Sequence, residues 1–159
     1  MPEIILTTII KAPIKRCFDL ARSIDLHLHT SALTNEEVIA GIRSGLINKG
    51  ETVTWKAKHF GITQTLTSEI SEMDSPFMFE DRMIEGAFKS IRHQHLFEDE
   101  NGKTIMKDVF IFECPFGIYG KLFNFLVLTN YMKRFLKERN QMIKQIAETE
   151  EWKKYLVLS

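Results

Sequence analysis

Between Trp55 and Cys114 the chain alternates apolar and polar residues almost without a break, and glycine turns punctuate the run. Strand side chains change face at every residue, so this pattern reads as an antiparallel meander. Asn101-Gly102 is the strongest punctuation, because both central residues of a two-residue hairpin turn need positive φ. It sets Phe97 opposite Met106, His95 opposite Asp108, His93 opposite Phe110 and Ile91 opposite Phe112. Phe60-Gly61 separates two further runs and sets His59 opposite Ile62, Ala57 opposite Gln64 and Trp55 opposite Leu66. The other face of that pair is threonine and charge, the mark of a half-solvated sheet. A one-residue slip would invert the pattern, which fixes the register. Glu85-Gly86-Ala87 marks a third hairpin. A three-residue loop there pairs Asp81 with Ile91, Phe79 with His93 and, on the outer face, Glu80 with Arg92.

The flanks change period. Residues 3–11 alternate and are rich in Ile and Thr, which predicts a strand. Pro13 suits the first turn of a helix, and Ile14, Cys17, Phe18 and Ala21 then recur at helical spacing. Residues 23–29 suggest a second short helix, and residues 35–43 the next strand. After Cys114-Pro115 the spacing predicts one long helix over 118–148, with a stripe of Leu122, Phe125, Leu126, Met132, Leu136, Ile143 and Ala147. Its first half is apolar nearly all round, so it is buried on several sides or covers a cavity mouth. The tail, residues 149–159, carries Trp152, Tyr155, Leu156 and Leu158, and two uses are open to it: packing back on the body or onto a second copy.

Composition narrows the function classes. At 159 residues one domain spanning 1–159 is expected. Lys+Arg and Asp+Glu number 21 each, so no basic balance argues for a nucleic-acid partner. The opening MPEIILTTIIKAP lacks the basic leader of a signal peptide, and the longest apolar run, Leu122 to Leu128, is far short of a membrane span. Cys17 and Cys114 form no metal or redox spacing and read as two buried free thiols of a cytoplasmic protein. There is no Gly-rich phosphate loop, nucleophile elbow or Walker pattern, and Cys17 has no evident base, so covalent catalysis is not expected.

The meander's inward face carries the candidate chemistry. His59, Gln64, Asp81, His93, His95 and Asp108 fall on it among Trp55, Leu66, Phe79, Ile91, Phe97, Phe110 and Phe112. His95 and Asp108 are opposed with Cβ atoms roughly 5 Å apart. An imidazole held by a carboxylate serves as a general base or orients a ligand. It is equally a buried, mutually satisfied pair with no further role. His93 and His95 share a face about 7 Å apart along the strand, and His59 or an aspartate could complete a metal site with them. His59 belongs near another end of the sheet, however, so no metal is expected. Gln64 and Asp81 fall in nearby rows with His59 beyond, as a second polar patch. His27 and His29 read as surface loop residues. Arg139 and Asn140 lie near the inner stripe of the last helix, within reach of an inner carboxylate.

The order strand, two short helices, six-stranded meander, long helix resembles the helix-grip fold of the START and birch-pollen-allergen superfamily, also called SRPBCC. The residues that carry the resemblance are IILTTIIKAPIKRCFDLARSIDLH at the start, GAFKSIRHQHLFE with GKTIMKDVFIF in the sheet, and the long terminal helix. It spans residues 3 to about 148, and the chain closely resembles a subgroup of uncharacterised bacterial members. The resemblance implies an α+β fold: a curved antiparallel sheet of about seven strands wrapped around the last helix, with an apolar cavity between them. Many members bind hydrophobic ligands and few catalyse, so fold alone does not assign activity.

Taken together, these readings lead to an expectation of a small hydrophobic or amphipathic ligand, bound without a cofactor. The aromatic and aliphatic inner-face residues, with Phe125 and Met132 of the helix, would line its site. His59, Gln64, Asp81 and His93 would add polar contacts. One alternative is polyketide cyclase-like or lyase chemistry on a carbonyl compound, with His95 as base and Asp108 as its orienter. Another is an interaction module that uses the terminal helix and tail, including homodimerisation.

Overall fold

The computed structural model describes residues 2–30, 35–59 and 61–156. Seven antiparallel strands form one sheet: β1 (Glu3–Ile10), β2 (Glu37–Gly41), β3 (Thr52–His59), β4 (Ile62–Asp74), β5 (Met78–Gly86), β6 (Ser90–Glu100) and β7 (Lys103–Glu113). Their order is β1-β7-β6-β5-β4-β3-β2, a six-strand meander with the N-terminal strand added beside β7. Helices α1 (Ile14–Ala21) and α2 (Ile24–Thr30) follow β1. α1 begins after Pro13 and buries Cys17, Phe18 and Ala21 of the predicted stripe together with Asp19 and Leu20, while Ile14 is only partly buried.

Two of the three predicted registers are present. Across β6 and β7, His95 faces Asp108, His93 faces Phe110 and Phe97 faces Met106. Asn101 and Gly102 both take positive φ, 52° and 87°, as that turn demands. Across β3 and β4, Trp55 faces Leu66, Ala57 faces Gln64 and His59 faces Ile62. Phe60, the other residue of that predicted turn, lies outside the described residues.

The third hairpin differs. Asp81 faces His93, Phe79 faces His95 and Glu80 faces Gln94, a shift of two residues along β6. The reason lies at Gly86, which makes no turn. It continues β5 and pairs with Leu66 of β4. A Cβ there would stand 2.8 Å from the Met83 sulfur and 3.0 Å from Leu66 Cδ1, both tips of flexible side chains, so this glycine occupies a crowded strand position rather than a turn. A two-residue shift keeps every side chain on its face but moves it to another row.

The predicted 118–148 helix is a path of three segments. α3 (Gly117–Phe123) leads into a π-helical turn, Asn124–Leu128, and then α4 (Thr129–Glu148). A π turn holds more residues per revolution than an α-helix, so the two α segments lie out of phase. This explains why one sequence stripe splits. Leu122 and Leu126 are 57% and 59% exposed, whereas Leu136 and Ile143 are 3% and 2% exposed. The side chain of Phe125 lies outside the described residues.

The core has two parts. Phe18 meets Phe79 and Phe97 edge-on, at ring centroids 5.5 and 5.4 Å apart, and Ile143, Ile146 and Ala147 of α4 close over them. Toward the other end, Phe110 and Phe112 pack with Ile4, Ile91, Leu128 and Leu136. The tail folds back on the body: Trp152, Tyr155 and Leu156 pack against the first cluster, and the Arg16 guanidinium lies 4.2 Å from the Trp152 ring. Leu158 lies outside the described residues. Both cysteines are free; Cys17 is buried, while Cys114 is only half-buried. No helix among the described residues is long and apolar enough to cross a membrane.

Candidate ligand cavity and its histidine–aspartate cluster

A cavity of about 940 Å³ lies between the sheet and α4. Trp55 and Ala57 of β3, Leu66 and Ile70 of β4, and Ile91 and Phe110 of the next strands form its sheet side. Tyr131, Met132, Phe135 and Leu136 form its helix side. Phe116, Tyr119 and Ile62 line it yet are largely exposed, so the space meets solvent at the end where α3 begins. The size falls within the usual range of small-molecule pockets, roughly 300–1,000 Å³.

The sheet brings most of the predicted site residues to this wall, but not all. Trp55, His59, Gln64, Leu66, Phe79, Asp81, Ile91, His93, His95, Phe110 and Met132 line it. Phe97 and Phe112 lie behind it in the packed clusters, and Asp108 is buried beneath the histidines. Gln64 does not share a patch with Asp81. Asp81 faces Ile70 of β4, six residues from Gln64 and therefore roughly 20 Å along the strand. His59 instead meets the helix, with its Nδ1 2.6 Å from the Tyr131 hydroxyl.

The corrected β5–β6 register builds the polar centre. Asp108, His95 and Phe79 share one row of the inner face, and Phe110, His93 and Asp81 share the next. The short contacts run diagonally between rows. His93 Nε2 donates to Asp108 Oδ1 at 2.8 Å, and His95 Nε2 donates to Asp81 Oδ2 at 2.9 Å. The ring tautomers follow from these acceptors, since an ionised carboxylate can only accept. The opposed pair His95 and Asp108 is also close, with Nδ1 3.3 Å from Oδ1. Asn140 of α4 donates to the second Asp108 oxygen at 2.6 Å, the reach to an inner carboxylate its helix position suggested. The rings hold one another in place: Phe79 stacks on His95 at 4.1 Å, His93 lies tilted against His95 at 3.8 Å, and Phe110 is edge-on to His93 at 5.1 Å.

These contacts set the protonation pattern. Burial works against the charged form of every group here. For His95 the flanking Asp108 and Asp81 outweigh burial, and its pKa is raised. For His93 burial wins, aided by the neighbouring His95, and its pKa is lowered. Burial would raise both aspartates, but the histidines hold Asp81 and Asp108 below the usual carboxylate range. The cluster thus sets an imidazole that holds its proton more readily than usual, His95, beside one that holds it less readily, His93, at the wall of a largely apolar space. Proton donation to a ligand oxygen suits the first and proton acceptance the second.

Two wall residues escaped the sequence reading. His27 sits on α2 rather than in a loop, tilted against Trp55 with ring centroids 4.2 Å apart and its Nε2 3.2 Å from Glu36 Oε2. Its spacing of three from Ile24, a buried residue of the same helix, was the available signal. Tyr131, inside the stretch of the last helix that is apolar nearly all round, brings a hydroxyl to the wall beside His59. His29 is exposed as expected, but like His27 it lies on α2 rather than in a loop. Arg139 lines the cavity and donates to the Ala21 carbonyl at 3.4 Å.

No protein-family model matches the sequence, and no curated protein does either. Solved structures do match. The protein TTHA0849 from Thermus thermophilus superposes with TM-score 0.69 at 20% identity, covering 89% of this chain and 97% of that one. Major latex-like protein 151 from Panax ginseng gives 0.69 at 17% identity, over 93% and 98%. A START superfamily protein from Mycobacterium smegmatis gives 0.66 at 8% identity, over 91% and 98%. The chain therefore has the helix-grip fold, and in structure it resembles the START and birch-pollen-allergen superfamily.

Proposed function

We propose that the chain binds a small hydrophobic or amphipathic molecule inside this cavity, with the oxygen atoms of the ligand against Asp81, His93 and His95. One observation carries the reading: a space of about 940 Å³, walled mainly by aromatic and aliphatic side chains, has a compact polar cluster of Asp81, His93 and His95 set into its sheet side. Such a pairing of apolar walls with a few placed polar groups is the usual make-up of a small-molecule site. Native mass spectrometry of the purified full chain tests it, together with titration of the apolar fluorophore 1-anilinonaphthalene-8-sulfonate. Saturable binding of one fluorophore per chain, or a co-purified small molecule, is the expected result. No added mass and no saturable fluorescence would overturn it.

Acid–base chemistry on a carbonyl ligand is a second reading, favoured by the raised pKa of His95 beside the lowered pKa of His93 at the wall. In it His95 acts as the acid and His93 as the base. Turnover lost in His93→Gln with binding retained supports it; unchanged turnover removes it.

A further inference from the structure

The structure assigns a metal site to the cavity wall: we propose that Asp81, His93 and His95 bind one divalent transition-metal ion. Their donor atoms all lie within 4.8 Å of one another. His95 Nε2 stands 2.9 Å and His93 Nδ1 3.9 Å from the same atom, Asp81 Oδ2. Donors about 2.1 Å from a shared ion are themselves roughly 3–3.5 Å apart, so the His93 ring must move inward for the set to close. Two imidazoles and one carboxylate suit zinc, cobalt, nickel or iron(II) rather than calcium or magnesium, which take oxygen donors.

The support behind the three donors strengthens the assignment. A metal-bound imidazole characteristically gives its other ring nitrogen to a carboxylate, which fixes tautomer and ring orientation. Here one buried carboxylate lies beside both rings: it accepts from His93 Nε2, and with an ion on His95 Nε2 the proton of that ring would sit on Nδ1, facing the same carboxylate. Asp108 Oδ1 is 2.8 Å from His93 Nε2 and 3.3 Å from His95 Nδ1, the two nitrogens turned away from Asp81. Asn140 fixes its second oxygen at 2.6 Å. The donor set comes from two adjacent strands rather than loops, and all three residues line the cavity. An ion there would have room for water or a ligand oxygen. The site does not depend on the ligand proposed above, because it can be measured with the metal alone.

The test is titration of the chelator-stripped full chain with cobalt(II) chloride, and with zinc chloride in competition. One cobalt per chain with a visible d–d absorption band, displaced by zinc, is expected. Imidazole nitrogen resonances should shift on zinc binding at His93 Nδ1 and His95 Nε2, not at their other nitrogens. Asp81→Asn keeps the side-chain volume and an acceptor for His95, and should weaken cobalt binding at least about tenfold. Asp108→Asn should weaken it about 10–100-fold without removing a donor. Absence of saturable one-to-one binding by the wild-type chain overturns the proposal, whatever the variants do. Binding undiminished in a folded Asp81→Asn variant overturns it too, since the ion would then sit elsewhere, for instance on exposed His29.

Discussion

Glu80 shows how one residue on the outer face contributes to stability. It is a carboxylate, yet only 1% exposed. Ser71 and Arg82 donate to its Oε1 at 3.0 and 3.1 Å, and Arg92 and Gln94 to its Oε2 at 2.7 and 3.0 Å. Burial alone would raise its pKa, but these donors outweigh burial and hold it below the usual carboxylate range. The unfolded chain therefore takes up the proton first as pH falls. The stabilisation is complete above the ordinary glutamate pKa of about 4.3 and is lost as pH drops through the folded value. Glu80→Gln should cost about 1–3 kcal/mol at neutral pH. Both arginines are half-exposed to solvent, which favours the lower end. The variant's urea midpoint should also vary less between pH 5 and about pH 3 than the wild type's. Equal pH slopes for the two proteins would refute this account. The sequence put Glu80 and Arg92 together on the outer face; it could not show that four donors seal the carboxylate from water.

Elements differ in how plainly the sequence announces them, and backbone dihedrals explain the difference. Gly61, Asn101 and Gly102 all take positive φ, and the two hairpins read from them have the register the alternation predicts. Gly86 takes no positive φ, so a glycine at a crowded strand position looked like a turn and displaced Asp81 by two residues along its partner strand. That single shift separates a dyad of His95 with Asp108 from the four-residue cluster observed. The π turn at Asn124–Leu128 left no mark in a stretch apolar on every side. Gly41 offers a test of the dihedral argument. It closes edge strand β2 at φ +78°, and a Cβ would lie 2.2 Å from the Thr52 carbonyl oxygen. That same oxygen accepts from Ile42 N at 2.9 Å. Gly41→Ala should destabilise by at least about 1–3 kcal/mol, read as a lowered urea midpoint with unchanged slope. Gly61→Ala has the same sign of φ but open space around it, so it should cost less.

Across the whole molecule, a packed half and a hollow half share one sheet, and truncations should report the boundary between them. Phe97 touches Phe18 and Phe79 behind the cavity wall, so Phe97→Ala should cost about 3–5 kcal/mol. Leu66 borders the open space and has fewer close neighbours to lose, so Leu66→Ala should fall near or below the low end of the usual range, about 2 kcal/mol. Equal costs would mean that the cavity collapses in solution. The hollow also leaves stability for a ligand to supply. A molecule that binds only the folded chain adds about 2.7 kcal/mol at a hundred times its Kd. For a chain of this size each kcal/mol is worth roughly 2–4 °C, so a saturating fluorophore should raise Tm by about 5–10 °C. Ala57→Trp, which projects a large ring into the cavity beside Trp55, should abolish most of that rise while the variant remains folded. A full thermal shift retained in Ala57→Trp would place the fluorophore on the exposed surface around Phe116 and Tyr119 instead of inside.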